Sequence, residues 1–117
     1  MPVSWIEHKG KKILYADHRG LKDDDLKEQL SRVVELVLAE DEPVLLLENI
    51  GGLTISSDIL SEVKRQYKRA KPNLERAAII GVTGAKRILV LAVNKISGID
   101  ERTFSTDEKA KDYLVGV

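Results

Sequence analysis

Residues 44–57, VLLLENIGGLTISS, carry the strongest structural signal in the sequence. Residues 44–47 are continuously apolar, which is typical of a strand that is buried on both faces of a sheet. A glycine-containing loop follows, and the paired serines Ser56 and Ser57 stand immediately before an amphipathic helical pattern. A buried strand that leads into a helix through such a loop is half of a β-α unit. The stretch therefore predicts a mainly parallel sheet covered by helices.

The residues on either side continue this alternation of strands and helices. Residues 3–8 and 11–17 are predicted to be strands joined by a tight turn at Lys9-Gly10, because glycine readily adopts the positive φ of such a turn. The further predicted strands are residues 77–82 and 101–105. The predicted helices are residues 23–39, a segment from Ser56 or Ser57 to Lys71, and a segment after a cap at Ser105 or Thr106. Residues 87–93 are apolar almost throughout, and periodicity leaves open whether they form a strand or a helix.

The composition is that of a globular domain without a strong charge preference. The chain has 117 residues, of which 43% are hydrophobic and 32% charged, and we expect a single domain over residues 1–117. Its 19 basic and 19 acidic residues cancel, which argues against a dedicated nucleic-acid-binding protein. The absence of cysteine excludes disulfides and thiolate catalysis and suits the cytoplasm, and no apolar run approaches the ~20 residues of a membrane span. We therefore expect a cytoplasmic domain with no integral membrane segment. Its core should include Leu30, Leu46, Val63 and Ile79.

Three segments of the chain resemble the STAS family, which includes the anti-sigma-factor antagonists of bacteria. They are residues 15–20 (YADHRG), 77–84 (AAIIGVTG) and 104–114 (FSTDEKAKDYL). The closer resemblance is to the SpoIIAA-like branch of small stand-alone bacterial proteins, which are also similar to lipid-binding CRAL-TRIO domains. It implies an α/β, SpoIIAA-like (STAS) fold, with a mainly parallel mixed sheet of about five strands and about four helices. It also makes residues 85–96 a helix.

Ser56 and Ser57 are the phospho-acceptor candidates that the resemblance supplies. In antagonist members of the family, a serine at the start of the helix after the third strand is phosphorylated, and Ser56 matches that position. Ile55 and Asp58 replace the acid and the glycine that flank the serine in those proteins. The alternative role is an N-cap, whose hydroxyl accepts a hydrogen bond from the first turn. We predict that Ser56 is mainly a cap and that the protein is not switched as an antagonist is.

A second candidate site is an anion-binding turn before the apolar segment. A strand leads through glycines into Lys86 and Arg87, and backbone N–H groups at a helix start together with two cations can hold an anion. The candidate residues are Thr83, Gly84, Lys86 and Arg87. The alternative is a tight turn with Thr83 as a cap and no ligand.

The apolar segment itself is the third candidate. A helix that covers a sheet needs one apolar stripe, and residues 88–96 carry more apolar surface than that. The excess predicts a second contact, either a dimer interface or an apolar ligand pocket, whereas the alternative is a helix buried on most sides. The predicted interface residues are Leu89, Leu91, Val93 and Ile96.

The remaining patterns give no catalytic signature. His8 and His18 have no acids at a metal-ligand spacing, and Asp17 with His18 is expected to be a solvated pair at a strand end. We expect no cofactor and no metal site. The sequence therefore predicts a non-enzymatic, STAS-like regulatory module that binds an unidentified protein partner or forms a homodimer. The alternative is a carrier that holds a lipid, or another small apolar or anionic ligand, between helices and sheet.

Overall fold

The computed structural model describes residues 2–84, 86–98 and 100–117. Within the helix Lys86–Ser97 it describes the side chains at all positions except 88, 89, 92, 96 and 97. The strands are β1 Val3–His8, β2 Lys11–Asp17, β3 Val44–Asn49, β4 Leu74–Ile80 and β5 Glu101–Phe104. The helices are α1 Asp23–Leu38, α2 Ser57–Ala70, α3 Lys86–Ser97 and α4 Asp107–Val115, and a 3₁₀ turn covers Lys71–Asn73. Among the described residues, no helix has both the length and the apolar character that crossing a bilayer requires.

The five strands form one mixed sheet in the order β1-β2-β3-β4-β5. β1 is antiparallel to β2, whereas β2, β3, β4 and β5 run parallel to one another. Lys9 and Gly10 close the β1–β2 hairpin, both with positive φ, as a tight two-residue turn requires. The predicted fold class, a mainly parallel mixed sheet of five strands with four helices, is confirmed.

Alternation along β3 explains why helices cover both faces of the sheet. Leu46 points to one face and packs in a core cluster with α1 residues Val33 and Val37. Leu45 and Leu47 point to the other face and pack against α4. Because a central parallel strand is covered on both sides, its run is continuously apolar rather than alternating. α1, α2 and α3 thus lie on one face and α4 on the other.

Three of the four predicted core residues are buried in the structure, and the fourth is only half-buried. Leu30, Leu46 and Ile79 are buried, while Val63 is half-buried and packs against two clusters. The ambiguous segment 87–93 is helical, as the resemblance implied, because it lies within α3.

Two loops, after β3 and after β4, meet at the carboxyl edge of the sheet. Gly81, directly after β4, has a φ of +84°, and a Cβ atom there would lie 2.5 Å from the backbone nitrogen of Gly51, in the loop after β3. Only glycine permits that approach. The contact brings together the loops that lead into α2 and α3, beyond the ends of β3 and β4.

Candidate functional site

A buried histidine and a buried glutamate face each other at the carboxyl edge of the sheet. Glu48 lies near the end of β3 on the face that α1, α2 and α3 cover, and it is fully buried at 0% exposure. His18 follows β2 and extends its ladder, because its backbone N–H donates to the carbonyl of Asn49 over 2.9 Å. The imidazole is 1% exposed, and its Nε2 lies 2.6 Å from Oε2 of Glu48.

The hydrogen bonds of Gln29 fix the state of this imidazole. The Gln29 amide nitrogen donates to the backbone carbonyl of Asp17 over 2.8 Å, and it also lies 2.9 Å from Nδ1 of His18. A carbonyl oxygen can only accept, so the atom facing it must be the amide nitrogen. Nδ1 therefore accepts the second amide hydrogen, and Nε2 carries the ring proton. His18 is a neutral imidazole that donates to Glu48.

Two further groups donate to the same carboxylate. The Tyr67 hydroxyl, from α2, donates to Oε1 of Glu48. The carboxyl of Glu101, from β5, also hydrogen-bonds Glu48. Two carboxyl groups can share a hydrogen bond only when one of them is protonated.

The proton belongs to Glu101. Burial, and after it the charge of Glu48, raises the pKa of Glu101 well above its ordinary value. Burial alone would also raise the pKa of Glu48, but hydrogen bonds from His18, Glu101 and Tyr67 outweigh it and lower that pKa. Burial, and after it the neighbouring carboxyl groups of Glu101 and Glu48, raise the pKa of Tyr67, which therefore stays neutral. The cluster His18–Glu48–Tyr67–Glu101 thus holds one negative charge, on Glu48, with three donors around it.

One atom of this cluster is left without a partner. Oε2 of Glu101 has no hydrogen-bond partner among the described residues, although Glu101 is only 4% exposed. The neighbouring Asn94 donates to the Glu101 backbone carbonyl over 2.8 Å and so fixes this end of β5 against α3. A buried acceptor without a donor costs free energy unless water or a ligand satisfies it.

The free oxygen belongs to a residue that lines a cavity of about 60 Å³, which lies between the sheet and α1, α2 and α3. That volume has room for several water-sized groups. The polar floor consists of His18, Glu48, Tyr67 and Glu101. The buried apolar walls include Leu26, Leu30, Ile50, Leu53, Ile59 and Ile79. The half-buried lining residues, which form the mouth, are Ile55, Leu60, Val63, Lys86 and Val90. This arrangement suits a small ligand with an apolar body and one polar end.

The structure corrects the sequence analysis at His18. A solvated Asp17–His18 pair was expected, and this is wrong for His18, which is buried and turned toward Glu48. Asp17 is the solvent-side partner and binds Arg19 through hydrogen bonds of 2.9 Å and 2.8 Å. The roles of Glu48, Tyr67 and Glu101 were missed as well. The sequence feature that could have indicated this site is Glu48, a single carboxylate near the end of a continuously apolar strand.

Ser56 is the N-cap of α2, as predicted. Its hydroxyl oxygen accepts a hydrogen bond of 3.1 Å from the backbone N–H of Ile59. Ser57 is the first residue of the helix and is exposed. Phosphorylation of either serine stays a prediction.

The predicted anion-binding residues form the turn into α3. Thr83 and Gly84 accept the backbone N–H groups of Lys86 and Arg87, each over 3.2 Å, and Gly84 has a φ of +54°. Thr83, Gly84 and Arg87 are exposed, whereas Lys86 is half-buried and lines the cavity mouth. Lys86 therefore lies in a different environment from Thr83, Gly84 and Arg87. Anion binding by this turn stays a prediction.

The predicted interface residues of α3 occupy different environments. Leu91 is 67% exposed, whereas Val93 is 5% exposed and belongs to the main core cluster. The side chains of Leu89 and Ile96 lie outside the described residues. Leu91 is thus the one described member of the set that a partner could touch.

A second polar group joins the end of β1 to α4. His8 Nε2 lies 2.8 Å from Asp112 and 4.0 Å from Glu108, and one ligand atom from each residue falls within 4.8 Å of the others. Lys9 also binds Asp112 over 2.9 Å, so this carboxylate already has a cation. Histidine and carboxylates of this kind can hold a zinc ion, which the sequence spacing could not reveal because His8 and Asp112 are far apart along the chain.

A comparison with solved structures identifies the fold. A structure described as an anti-sigma-factor antagonist (STAS) domain protein from Planctomyces limnophilus superimposes with a TM-score of 0.62, over 97% of each chain and at 17% identity. The chain has the STAS fold. The fold that the three sequence segments implied is therefore confirmed. No family model and no curated protein matches the sequence.

Proposed function

We propose that the protein is a non-enzymatic, cytoplasmic regulatory domain that acts by binding a protein partner. The observation that carries this proposal is a shared fold over 97% of both chains with a protein described as an anti-sigma-factor antagonist. A fold hosts more than one function, so the proposal also needs a surface on which a partner can dock.

The loop after β3 and the first turn of α2 provide that surface. Gly52, Thr54, Ser57 and Asp58 are exposed and follow one another around the start of the helix. The hydroxyl of Ser56 is already engaged as a cap, so contact here needs no phosphate on that residue. Regulation would then come from partner availability rather than from a phosphorylation switch.

Cross-linking in the native host, followed by mass spectrometry, tests this proposal. Thr54→Arg and Ser57→Arg should each remove the partner that the unmodified protein captures in stoichiometric amounts. Glu75→Arg is the matched control, because it places an arginine on an exposed residue at the start of β4, on the opposite edge of the sheet. If all three variants capture the same partner, the docking surface is wrong. If the unmodified protein captures no stoichiometric partner, the function is wrong.

A second candidate function, binding of a small apolar ligand, is favoured by the cavity. Its walls are apolar, its floor is polar, and one buried floor oxygen has no partner among the described residues. Buried polar groups in proteins are almost always satisfied, so an occupant that donates to this oxygen would stabilise the folded state.

Native mass spectrometry of the protein from its own host tests the second function. A retained small molecule should disappear in Val63→Trp, because Val63 lines the mouth of the cavity. Lys68→Trp is the matched control, since Lys68 is an exposed residue of the same helix. Equal retention in both variants would place the molecule elsewhere on the protein.

A further inference from the structure

We infer that the cavity selects an uncharged ligand with an apolar body and a single hydroxyl group that donates a hydrogen bond to Oε2 of Glu101. This inference rests on the ligand-binding function proposed above, and it names the chemical class of the ligand. The geometry of the cavity floor supports it. Of the buried side-chain polar atoms in the described part of the chain, only Oδ1 of Asn94 and Oε2 of Glu101 lack a partner, and of these two residues only Glu101 lines the cavity.

Among the described side chains of the floor, a ligand finds one unpartnered acceptor and no free donor. The three donors that face inward, from His18, Tyr67 and Glu101, are all directed at Glu48. Oε2 of Glu101 has no partner among the described residues and can accept a hydrogen bond from a ligand. A hydroxyl group has one hydrogen to donate, which suits a floor with one unpartnered acceptor. The carbon chain of the ligand would then lie along the apolar walls.

A primary amine matches less well. An ammonium carries three hydrogens, and the described lining offers only one unpartnered acceptor for them. An unpaired buried donor costs more than a hydrogen bond gains. The attraction of Glu48 for a cation is also reduced, because three donors already surround that carboxylate.

A carboxylate is excluded from the floor for a stronger reason. It has no hydrogen to donate to Oε2, and it would bring a second negative charge next to Glu48 in a buried site. Lys86 is the only cation among the described lining residues, and it lies at the mouth. An anion could therefore bind only in the reverse orientation, with its head at Lys86.

Four small probes of one size separate these possibilities: hexanol, dipropyl ether, hexylamine and hexanoate. Hexanol and dipropyl ether are isomers that differ in the hydroxyl hydrogen. We expect hexanol to bind about tenfold more tightly than the ether, as one buried hydrogen bond would give. Hexylamine and hexanoate should bind more weakly than hexanol. Titrations followed by amide chemical shifts of the unmodified protein measure all four affinities and show whether the residues around the cavity respond.

Two variants at Glu101 test the atom itself. Glu101→Gln keeps a donor for Glu48 and one free oxygen, so it should retain the preference for hexanol over the ether. Glu101→Met removes the free oxygen, so the ratio of hexanol affinity to ether affinity should fall to about one. If Glu101→Met does not fold, the preference for hexanol over the ether in the unmodified protein and in Glu101→Gln still tests the inference. Equal affinity for the two probes in the unmodified protein would overturn it.

The probe titrations distinguish a failure of this inference from a failure of the ligand-binding function. If none of the four probes shifts residues of the cavity, both the ligand-binding function and the inference fail. If the ether binds as well as hexanol, the cavity binds ligands but Oε2 does not select them. If hexanoate binds best and Lys86→Gln abolishes its binding, the head group sits at the mouth and the inference is overturned.

Discussion

The ring nitrogen Nε2 of His18 donates a hydrogen bond of 2.6 Å to Oε2 of Glu48, across 30 positions of the sequence. Both side chains are buried, and the ring is neutral because Gln29 donates to its other nitrogen. The bond therefore joins a neutral donor to a buried charge. Such bonds contribute more than those between two neutral groups, and losing one leaves the charge less well solvated.

His18→Ala is accordingly expected to lower the free energy of unfolding by about 2–4 kcal/mol, from the lost hydrogen bond to a charge and the cavity left by the ring. His8→Ala is the control, because the other histidine of the chain is half-buried and binds Asp112, a partly exposed carboxylate that Lys9 also binds, so its loss should cost only about 1 kcal/mol. Urea denaturation measures both. Equal losses in the two variants would show that the buried bond is not special.

The proton held by Glu101 gives stability a pH dependence of defined sign. Its folded-state pKa is raised above the ordinary value of 4.5, so above that pH the folded protein binds more protons than the unfolded chain. The resulting contribution of Glu101 to the free energy of unfolding is fully present below pH 4.5 and is lost as the pH rises through the folded-state pKa. Glu48 acts in the opposite direction, because its pKa is lowered and its contribution is lost only as the pH falls.

Glu101→Gln removes the Glu101 contribution alone. The free energy of unfolding of this variant relative to the unmodified protein should increase with pH in the range above pH 4.5, by at most ~1.4 kcal/mol per pH unit. Urea denaturation across this range gives the slope. A difference that is flat with pH would mean that Glu101 is ionised in the folded protein.

The fold was predictable because its signals are local. The apolar run of β3, the helical stripe of α1 and the serines before α2 each report on their own segment, and the sheet follows from their order. The parallel arrangement then leaves few topologies to choose from.

The buried cluster was not predictable in the same way because its members belong to different elements. His18 follows β2, Glu48 is in β3, Tyr67 is in α2 and Glu101 is in β5. Only the register shows that they converge: Ala16 pairs with Glu48, so the residue two positions after Ala16 reaches the same edge of the sheet. Tyr67 and Glu101, read alone, look like an ordinary helix residue and an ordinary strand start.

The contact between the loops after β3 and β4 predicts that alanine will destabilise the protein much more at Gly81 than at Gly84. Gly81→Ala should lower the free energy of unfolding by ~3 kcal/mol, because the residue has a positive φ and the new Cβ would meet the Gly51 backbone. Gly84→Ala should cost only ~1 kcal/mol, since its φ is also positive but, outside its chain neighbours, no atom of the described residues lies within 4 Å of the new Cβ. Thermal denaturation of the two variants tests this order. Equal costs would mean that the loops do not approach as closely as described.

The cap at the start of α2 predicts how its serines respond to substitution. Ser56→Ala should cost about 1 kcal/mol of unfolding free energy, because the hydrogen bond to the Ile59 N–H is lost. Ser56→Asp should be nearly neutral, since aspartate is an equally good N-cap, and Ser57→Ala should also change little. Urea denaturation separates the three variants. Partner binding abolished by Ser56→Asp in a stably folded protein would instead support a phosphorylation switch at this serine.

The exposed face of α3 predicts self-association through Leu91. This side chain is 67% exposed, and a two-fold dimer is the commonest way to cover such a surface. Leu91→Glu should convert a dimer to a monomer in sedimentation experiments, whereas Leu38→Glu, at an exposed leucine of α1, should leave it unchanged. Val93→Glu should unfold the protein rather than dissociate it, because Val93 is buried in the core and an unpaired charge there is costly. If the unmodified protein sediments as a monomer at high micromolar concentration, Leu91 is not part of a homodimer interface.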